Sequence, residues 1–332
     1  MEPVRWGVLS TALIGTQKVI PAMHAGTGMA VVAIASRDLA RAEAAAAALG
    51  IATAHGSYEA LLADPRVEAV YNPLPNHLHV PMTLAAARAG KHVLCEKPMS
   101  MNAGELEVLR PFASRVHIRE AFMVRFHPQW TQTRDLVRQG AIGELRFMQV
   151  PFCYFNANPA NIRNIAEVGG GALYDVGCYA VVAGRWFFEG EPERVSATID
   201  RDPASGIDRT TSGWLDFGGG RQQVFTVSTQ AARHQRITLV GTTGRIEIEV
   251  PFNAPQDAPC RYAFSDPGAA DGSGMRTVTV PAADQYRLQA EAFSRAVRSE
   301  APDAASLDDA VRNMRVIDAL FASAASGGVE RP

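Results

Sequence analysis

The sequence predicts two domains of different class: an α/β domain with a mostly parallel sheet over residues 1–121, and an α+β domain over 122–332. The second domain is expected to hold an open antiparallel sheet with helices on one face. Three observations support this division. The chain has 332 residues, more than one core usually supports. Short apolar runs alternate with helical patterns up to about Glu120, which is typical of parallel strands with crossover helices. Closely spaced β-branched segments follow, which indicate antiparallel strands.

The elements of the first domain follow from its apolar runs and its glycine stops. Strands are predicted at 5–10, 29–36, 67–71 and 91–95, and helices at 17–25, 39–49, 58–63 and 80–89. The segment 120–126 is predicted as the last strand of this domain and the crossing into the second.

The second domain is predicted from alternating segments and four helical patterns. Strands are expected at 194–200, 210–217, 222–230, 236–240, 245–250, 261–264 and 276–280. Helices are expected at 129–139, within 171–187, at 286–298 and at 307–325, the last with Ser306 as N-cap. The stretch 251–274 is predicted as a long surface loop interrupted by one strand.

Charge and cysteine content restrict the class of partner. The formal net charge is −2, from 32 basic and 34 acidic residues that are interspersed, so neither nucleic acid nor an anionic membrane is predicted as the main partner. A small neutral or anionic ligand fits better. The four scattered cysteines indicate a reducing compartment, and we expect a cytoplasmic protein. No metal site is predicted, because His77 and His79 lack further ligands at a suitable spacing.

The first strand-to-helix turn is an imperfect form of the glycine-rich phosphate loop. Ser10, Ala12 and Gly15 occupy the three positions where that loop has glycine, so only the third is retained. Serine and alanine still let the backbone approach a pyrophosphate at the helix N-terminus. The alternative is an ordinary strand-to-helix turn. If the loop binds a dinucleotide, the contacts come from Ser10, Thr11, Ala12, Leu13 and Ile14.

The end of the second strand bears on the choice of dinucleotide. A carboxylate there usually binds the ribose 2′-hydroxyl, whereas this chain has Ser36, Arg37 and, one turn later, Arg41. A guanidinium can pair with a 2′-phosphate, so NADP is predicted ahead of NAD, which stays possible. The alternative is that Arg37 and Asp38 only open a solvated helix.

Four segments in this order resemble a known family. They are WGVLSTA at 6–12, PLPNH at 73–77, EKP at 96–98 and GGGALYDVGCY at 169–179. Together they are similar to the glucose-fructose oxidoreductase, inositol dehydrogenase and MocA (Gfo/Idh/MocA) family, and the resemblance covers nearly the whole chain. It implies a Rossmann domain that binds NAD(P) at its strand ends, followed by a domain with an open antiparallel sheet.

One departure narrows the resemblance. Many family members have a histidine four residues after the helix aspartate, whereas this chain has Tyr179. The variant resembles the branch with glucose-fructose oxidoreductase, NADP-dependent xylose dehydrogenase and dimeric dihydrodiol dehydrogenase. By position, the resemblance assigns catalytic roles to Lys97, Asp175 and Tyr179. A free phenol with a pKa near ~10 is a poor base, and a nearby ammonium favours its ionised form. At spacing i and i+4, Asp175 and Tyr179 are expected on one helix face.

The remaining site residues are expected to surround this catalytic group. Cofactor contacts are predicted for Leu74, Asn76, His77, Glu96 and Lys97. Substrate contacts are predicted for Lys97, Arg125, His127, Asn156, Arg163, Asp175 and Tyr179, with Asn161 nearby. Alternatively, several of these polar groups only satisfy loop backbone. The glycines at 169–171 either let the chain approach the cofactor or form a flexible loop.

The sequence therefore predicts an NADP(H)-dependent oxidoreductase that transfers hydride between the nicotinamide and a hydroxyl-bearing carbon of a small polyhydroxylated substrate. An aldose such as xylose or glucose is favoured. Alternatives are a keto-sugar reductase, a trans-dihydrodiol dehydrogenase, or a nucleotide-sensing regulator without turnover. The resemblance also implies a homodimer or homotetramer that forms through the C-terminal sheet.

Overall fold

The computed structural model describes residues 2–265, 274–299 and 305–332. The chain divides into two compact units. The first comprises Met1–Met123 and Asp284–Val311, and the second comprises Val124–Ala283 and Arg312–Pro332.

A six-stranded, fully parallel sheet forms the centre of the first unit. Its strands are β1 (Val4–Leu9), β2 (Met29–Ala35), β3 (Thr53–His55), β4 (Ala69–Asn72), β5 (His92–Cys95) and β6 (Ile118–Glu120). They lie in the order β3-β2-β1-β4-β5-β6, which is the Rossmann order. The predicted fold class of this half is confirmed. Strand β3 was not predicted because it is short and only half-buried, so it lacks an apolar run.

Helices connect these strands. They are α1 (Ile20–Ala25), α2 (Leu39–Leu49), α3 (Tyr58–Leu62) and α4 (His79–Arg88), and a 3₁₀ segment covers Ala103–Phe112. Helix α1 follows a π-helical turn, Gly15–Val19. Helix α2 begins where Asp38 accepts hydrogen bonds from the backbone N–H groups of Ala40 and Arg41, and it ends at Gly50 with φ +68°.

A late segment of the chain completes the core of the first unit. Helix α7 (Gln285–Ser299) places Phe293 against Trp6, with ring centroids 5.2 Å apart. The Trp6 indole N–H donates to the Ser294 hydroxyl at 3.1 Å, and Arg298 forms an ion pair with Glu68 at 2.7 Å. These contacts explain why the first unit includes 284–311, whereas the sequence analysis assigned everything after residue 121 to the second domain.

A nine-stranded, mostly antiparallel sheet forms the second unit, as predicted for its class. The strands are β7 (Leu145–Phe155), β8 (Arg194–Arg201), β9 (Asp208–Asp216), β10 (Gln222–Ser228), β11 (Gln230–Gln235), β12 (Ile237–Gly241), β13 (Arg245–Ile248), β14 (Cys260–Ser265) and β15 (Met275–Val280). Their order is β15-β14-β13-β12-β7-β10-β9-β8, and β11 also pairs with β7. One pair, β7 with β10, is parallel. Helices α5 (Pro128–Arg138) and α6 (Cys178–Phe188) belong to this unit, and α8 spans Ala305–Ser326.

The sequence pattern does not predict β7, the central strand of this sheet. Pro151 interrupts its pattern, and proline usually argues against a central strand because it has no N–H to donate. In the structure β12 pairs with residues up to Gln149 and β11 pairs from Phe152 onward. On this side of β7, Pro151 lies between the two paired segments, so the missing N–H disrupts neither of them; on the other side Pro151 is in register with Thr226 of β10.

Three other predicted elements differ from the structure. The segment 120–126 is not a strand, because β6 ends at Glu120 and Met123–Phe126 forms a 3₁₀ turn. The predicted strand 222–230 is divided between β10 and β11. Ser306 lies inside α8 and does not cap it. The predicted loop 251–274 falls partly outside the described residues.

Within the described ranges, none of the helices combines the length and apolar character that a membrane span requires. The cytoplasmic location stays a prediction.

Candidate active site

The predicted cofactor residues collect at one edge of the parallel sheet. Adjacent strands β2, β1, β4 and β5 all end at this edge. Ser10 follows β1, Ser36 follows β2, the segment with Leu74, Asn76 and His77 follows β4, and Glu96 and Lys97 follow β5. Ligands of Rossmann domains bind outside the carboxyl ends of the strands. The structure therefore brings together the residues that the sequence placed in four separate segments.

Ser10 replaces the first glycine of the phosphate loop but keeps a glycine-like backbone. Its φ is +83°, in a region that non-glycine residues rarely adopt. Its backbone N–H donates to the Ala35 carbonyl at 2.9 Å. Its hydroxyl accepts the Ala12 N–H at 3.2 Å and closes a small local turn. The tight turn is therefore retained without the glycine that usually forms it.

The helix after this turn presents an N-terminus that suits an anion. No acidic residue lies in the first turn of its π-helical segment Gly15–Val19. Leu13, at the start of the helix, is 70% exposed. Backbone N–H groups at a helix N-terminus carry partial positive charge, and phosphates bind there. This end of the helix fits a dinucleotide pyrophosphate.

The end of β2 carries a formal positive charge, because two arginines, Arg37 and Arg41, lie beside one carboxylate, Asp38. Asp38 caps α2 and lies 3.5 Å from Arg41, while the Ser36 hydroxyl accepts the Asp38 N–H at 3.2 Å. Arg37 is exposed and hydrogen-bonds the Tyr58 hydroxyl; burial raises the pKa of that phenol and the guanidinium opposes the increase. Asp38 caps the start of α2, which agrees with the alternative that this segment opens a helix. Arg37 and Arg41 nevertheless make the end of β2 suitable for a 2′-phosphate.

Lys97 lies on a segment with well-defined contacts. The Tyr71 hydroxyl donates to Glu96 at 2.7 Å, and burial together with this carboxylate raises the pKa of Tyr71 well above its usual value. The peptide bond between Lys97 and Pro98 is cis. The Met99 N–H donates to Glu120 at 2.9 Å. The neighbours of Lys97 along the chain are thus anchored on both sides.

His79 connects this segment to the loop after β4. Its Nε2 lies 2.6 Å from the Leu74 carbonyl and its Nδ1 lies 2.7 Å from the Pro98 carbonyl. Burial lowers the pKa of His79, but the two carbonyls oppose this, because both oxygens can accept only when each ring nitrogen carries a hydrogen. Both ring nitrogens are engaged by backbone, so His79 has a positioning role. From sequence alone, a metal ligand is the one role that His79 suggests, and no metal site is predicted there.

In the second unit, a buried carboxylate fixes the start of the helix that carries Asp175 and Tyr179. Asp208 accepts the Leu173 N–H at 2.6 Å and the Thr211 hydroxyl at 3.0 Å. Burial raises the pKa of Asp208 to about 6. Gly171 has φ +119°, and a Cβ there would lie 1.9 Å from the Asp208 carboxylate.

The other glycines of this segment also pack against the chain. A Cβ on Gly170 would lie 2.6 Å from the Arg163 carbonyl, and Gly169 has φ +86° at the end of a 3₁₀ turn. The segment 169–171 is therefore a close-packed turn with defined backbone geometry. It is not the loose loop that one interpretation of the sequence allowed, and an approach of these glycines to the cofactor stays a prediction.

Asp175 is the centre of a polar cluster. The Tyr154 hydroxyl donates to its Oδ2 at 2.5 Å, and the Arg163 Nε lies 3.0 Å from the same oxygen. Burial and the Asp175 charge raise the pKa of Tyr154 well above its usual value. Arg163 thus joins the cluster that the resemblance implied. Tyr154 was not predicted because it lies on β7, the strand that the sequence analysis missed.

Tyr179 is nearly buried and packs against the same strand. Its ring centroid lies 5.7 Å from that of Phe152 and 5.5 Å from that of Phe252. Phe152 and Tyr154 are two residues apart on β7, so their side chains point to the same face of the sheet. Since Asp175 contacts Tyr154 and Tyr179 contacts Phe152, both helix residues face β7. The π-helical turn Leu173–Gly177 does not separate them.

Two predicted substrate residues hydrogen-bond the backbone in this structure, and their contact with a substrate stays a prediction. His127 is buried, its Nδ1 accepts the Gln129 N–H at 3.1 Å to cap α5, and its ring hydrogen-bonds the Ala283 carbonyl. Burial lowers the pKa of His127 to about 4. The Asn156 side chain accepts the Asn158 N–H at 3.0 Å.

Asn161 and Arg125, the other polar residues predicted near the substrate, have different surroundings. The Asn161 side chain caps the turn that begins at Ile162. Arg125 lies over the Trp186 ring, with its Cζ 5.9 Å from the ring centroid. The expectation that some of these polar groups satisfy loop backbone is correct for His127, Asn156 and Asn161.

Known proteins match both halves of the chain. An oxidoreductase-family model with an NAD-binding Rossmann fold matches residues 4–120, and a GFO/IDH/MocA C-terminal domain model matches 130–247. An uncharacterized oxidoreductase of Rhizobium meliloti is 48% identical over 99% of both chains. The NADP(+)-dependent D-xylose 1-dehydrogenase 2 of Haloferax volcanii is 40% identical over 97% of this chain and 98% of its own length.

A solved structure agrees with these relatives. KijD10, a 3-ketoreductase from Actinomadura kijaniata crystallised with NADP and TDP-benzene, is 30% identical with a TM-score of 0.89, over 97% of this chain and 98% of its own. The two matched domain models and the Rossmann strand order point to the same family. The chain is an oxidoreductase with an NAD-binding Rossmann domain, and it belongs to the Gfo/Idh/MocA family.

Proposed function

We propose that this protein is an NADP(H)-dependent oxidoreductase that transfers hydride between the nicotinamide and a hydroxyl-bearing carbon of a small polyhydroxylated substrate, with an aldose such as xylose or glucose favoured. The observation that carries the proposal is the Asp175 cluster beside Tyr179 along β7. A fixed carboxylate, an arginine and two phenols can bind and deprotonate a sugar hydroxyl. The Haloferax volcanii xylose dehydrogenase supports the substrate class.

NADP is the proposed cofactor because the first unit suits each of its charged parts. The helix after Ser10 has no acid in its first turn, which favours the pyrophosphate. Arg37 and Arg41 lie at the end of β2, where the 2′-phosphate would be held. The name of the xylose dehydrogenase and the crystallised complex of KijD10 both include NADP, which supports the choice.

The proposed roles divide the chemistry between this chain's residues. When bound, NADP supplies the hydride acceptor or donor. Tyr179 takes the proton from the reacting hydroxyl during oxidation and returns it during reduction. Lys97, as an ammonium, stabilises negative charge on the phenol and on the reacting oxygen. Asp175, which Tyr154 and Arg163 hold in place, binds a neighbouring hydroxyl of the substrate.

A keto-sugar reductase is the second candidate. The same residues catalyse the reverse direction, and the similarity to the 3-ketoreductase KijD10 favours this possibility. A trans-dihydrodiol dehydrogenase would use the same groups on a cyclic diol. A nucleotide-sensing regulator would keep the fold without turnover, and the well-ordered cluster around Asp175 argues against it.

Absorbance of the reduced cofactor tests the proposal over a panel of aldoses, keto-sugars and cyclic diols, with NADP and NAD. We expect turnover of at least one aldose with NADP. Tyr179→Phe should lower kcat by about 10²- to 10⁴-fold with little change in cofactor binding. Tyr262→Phe removes a hydroxyl from another buried tyrosine of the second unit and should leave kcat unchanged. Full turnover by Tyr179→Phe would contradict the assigned acid–base role.

Self-association through the large sheet is also proposed. Phe147 and Val224, 42% and 43% exposed, lie on β7 and β10, and Val224 is in register with Trp214 on β9. An exposed apolar sheet face of this kind suits a second copy of the chain. Light scattering of the purified protein measures its molar mass and so distinguishes a dimer from a tetramer. Phe147→Asp places a charge on the proposed interface and should lower the measured mass toward that of the monomer.

A further inference from the structure

A cavity of about 460 Å³ adjoins the Asp175 cluster in the second unit. The lining includes Tyr154, Phe155, Arg233, Gln235 and Asn253. Tyr154 belongs to both places, because it is one of the residues that line the cavity and its hydroxyl donates to Asp175 at 2.5 Å. The cavity and the Asp175 cluster therefore share a residue.

The walls of this cavity are shaped by specific contacts. The Gln235 Oε1 accepts the N–H groups of Phe252 and Asn253, both at 3.0 Å. Phe152 also lines the cavity, on the same face of β7 as Tyr154, and its buried ring stacks on that of Phe252 with centroids 4.5 Å apart, which gives the wall an apolar part. Ligand sites commonly combine such apolar surface with a few fixed polar groups.

Arg233 supplies a positive charge to the cavity. It is exposed and lies on β11, where the pairing with β7 shifts register between Gln230 and His234. Among the residues that the structure describes, no carboxylate or carbonyl pairs with Arg233. Other arginines nearby differ: Arg163 pairs with Asp175, and Arg236 with Glu247. Its guanidinium can therefore bind an anion without first breaking an ion pair.

We infer that this cavity is the outer part of the substrate site, and that it binds an anionic substituent, a phosphate ester or a carboxylate, on a polyhydroxylated substrate. The inference rests on the proposed function, which it narrows from a neutral sugar to a charged sugar derivative. Arg233 binds the anion, and Asp175 binds a hydroxyl nearer the reacting carbon. A guanidinium suits phosphate and carboxylate geometry because it can donate two parallel hydrogen bonds.

Steady-state kinetics with matched substrates tests this assignment. The substrates are a neutral aldose, its phosphate ester, its uronate and a nucleoside-diphosphate sugar. Wild type should prefer at least one anionic substrate in kcat/KM. Arg233→Gln should lower kcat/KM for that substrate by about 10- to 100-fold, and for the neutral aldose by no more than about twofold. The anionic substrate whose kcat/KM falls most in Arg233→Gln identifies which anionic group Arg233 binds.

Arg146→Gln is the matched control. It removes the same charge from β7, eight residues before Tyr154 and about 26 Å away along the strand. We expect no change in the ratio of anionic to neutral kcat/KM. The inference is overturned if wild type prefers the neutral aldose, or if Arg233→Gln and Arg146→Gln change that ratio equally.

A binding measurement separates this inference from the proposed function. Calorimetric titration of the full-length protein with the sugar phosphate requires no turnover. If none of the substrates reacts, the proposed function fails. A Kd that is about tenfold or more weaker in Arg233→Gln than in wild type would still support the anion site. Equal Kd values, or no binding by either protein, would refute it.

Discussion

Two helices of this protein begin with the same irregular turn in opposite chemical surroundings. In the first unit, the π-helical turn Gly15–Val19 leads into α1 and has no acidic residue. In the second unit, the π-helical turn Leu173–Gly177 leads into α6, contains Asp175, and has its first N–H bound by the buried Asp208. One helix start is left open to an anion, and the other is closed by the protein's own carboxylate.

The difference shows how one backbone device serves two purposes. A helix N-terminus attracts negative charge. Where the chain supplies no carboxylate, the N-terminus remains available for a dinucleotide phosphate. Where Asp208 occupies that position, no ligand is needed to satisfy the N–H, and the helix start becomes a rigid support for Asp175 and Tyr179.

The wide turns have different local causes. In the first unit Pro21 has no N–H to donate, and the Ile20 N–H bonds to the Gly15 carbonyl, five residues back. In the second unit the Cys178 N–H bonds to the Leu173 carbonyl, and Gly177 permits close packing, since a Cβ there would lie 2.7 Å from Leu173. Proline allows the first wide turn, and a lack of space for a side chain accompanies the second.

The closed helix start should be the less tolerant of the two. Gly171→Ala places a Cβ 1.9 Å from the Asp208 carboxylate at φ +119°, so we expect the free energy of unfolding to fall by more than about 3 kcal/mol. Activity should be lost because Asp175 and Tyr179 are displaced. Gly206→Ala is the control: φ is +72° there but the surroundings are open, so about 1 kcal/mol is expected. Denaturant unfolding measures both variants, and similar losses would contradict the packing argument.

Substitutions at the end of β2 should leave the protein folded but reduce its selectivity for NADP over NAD. Arg37→Ala should raise KM for NADP by about 10- to 100-fold, because a charge-assisted hydrogen bond to the 2′-phosphate is lost. KM for NAD should change by about twofold at most. Arg41→Ala is the matched control, since Arg41 also pairs with Asp38 and should contribute less. An equal increase in KM for both cofactors would exclude a 2′-phosphate role for Arg37.

The charge state of Asp208 sharpens the comparison further. The pKa of Asp208 is about 6 in the folded protein, above the ~3.9 expected when unfolded. The folded state therefore binds the proton more tightly, and stability should fall as pH rises from about 4 to 6. Relative to Asp208→Asn, wild type should lose up to ~3 kcal/mol over this range. Denaturant unfolding at several pH values measures the difference.

The sign of that pH dependence shows whether burial of the Asp208 carboxylate or its interaction with the helix N-terminus has the larger effect on its pKa. Asparagine keeps the shape and one acceptor, so subtracting its profile removes the buried histidines, which titrate in the same range with the opposite slope. A difference that rises with pH would mean that the helix N-terminus and the Leu173 N–H outweigh burial. The carboxylate would then be a stabilising cap at every pH above 4.

How much the sequence could predict also differs between the two units. Strands buried on both faces are continuous apolar runs, so β1, β2, β4 and β5 could be predicted, and with them the positions of Ser10, Ser36 and Lys97. Strand β7 could not, because Pro151 is tolerated only where its pairing partners change. Tyr154 and the cavity beside it were missed for the same reason.

Other features depend on contacts distant in sequence. An amphipathic pattern predicts α7, but nothing local shows that Phe293 packs on Trp6, so its place in the first unit was missed. His127 and Asn156 have the side-chain chemistry of ligand-binding residues. Only their neighbours in the fold show that they cap a helix and a turn.

The smallest expected effect concerns Ser10, a non-glycine residue with positive φ in the turn before the first helix. Ser10→Gly and Ser10→Ala both remove the hydroxyl that accepts the Ala12 N–H, and they differ in whether a Cβ remains at φ +83°. Glycine adopts this backbone freely, so Ser10→Gly should be more stable than Ser10→Ala by about 1 kcal/mol. Both variants should still bind NADP, because the contacts there come from backbone N–H groups. Equal stability of the two variants in thermal unfolding would show that the turn relaxes around a side chain, and that the missing glycine costs this loop nothing.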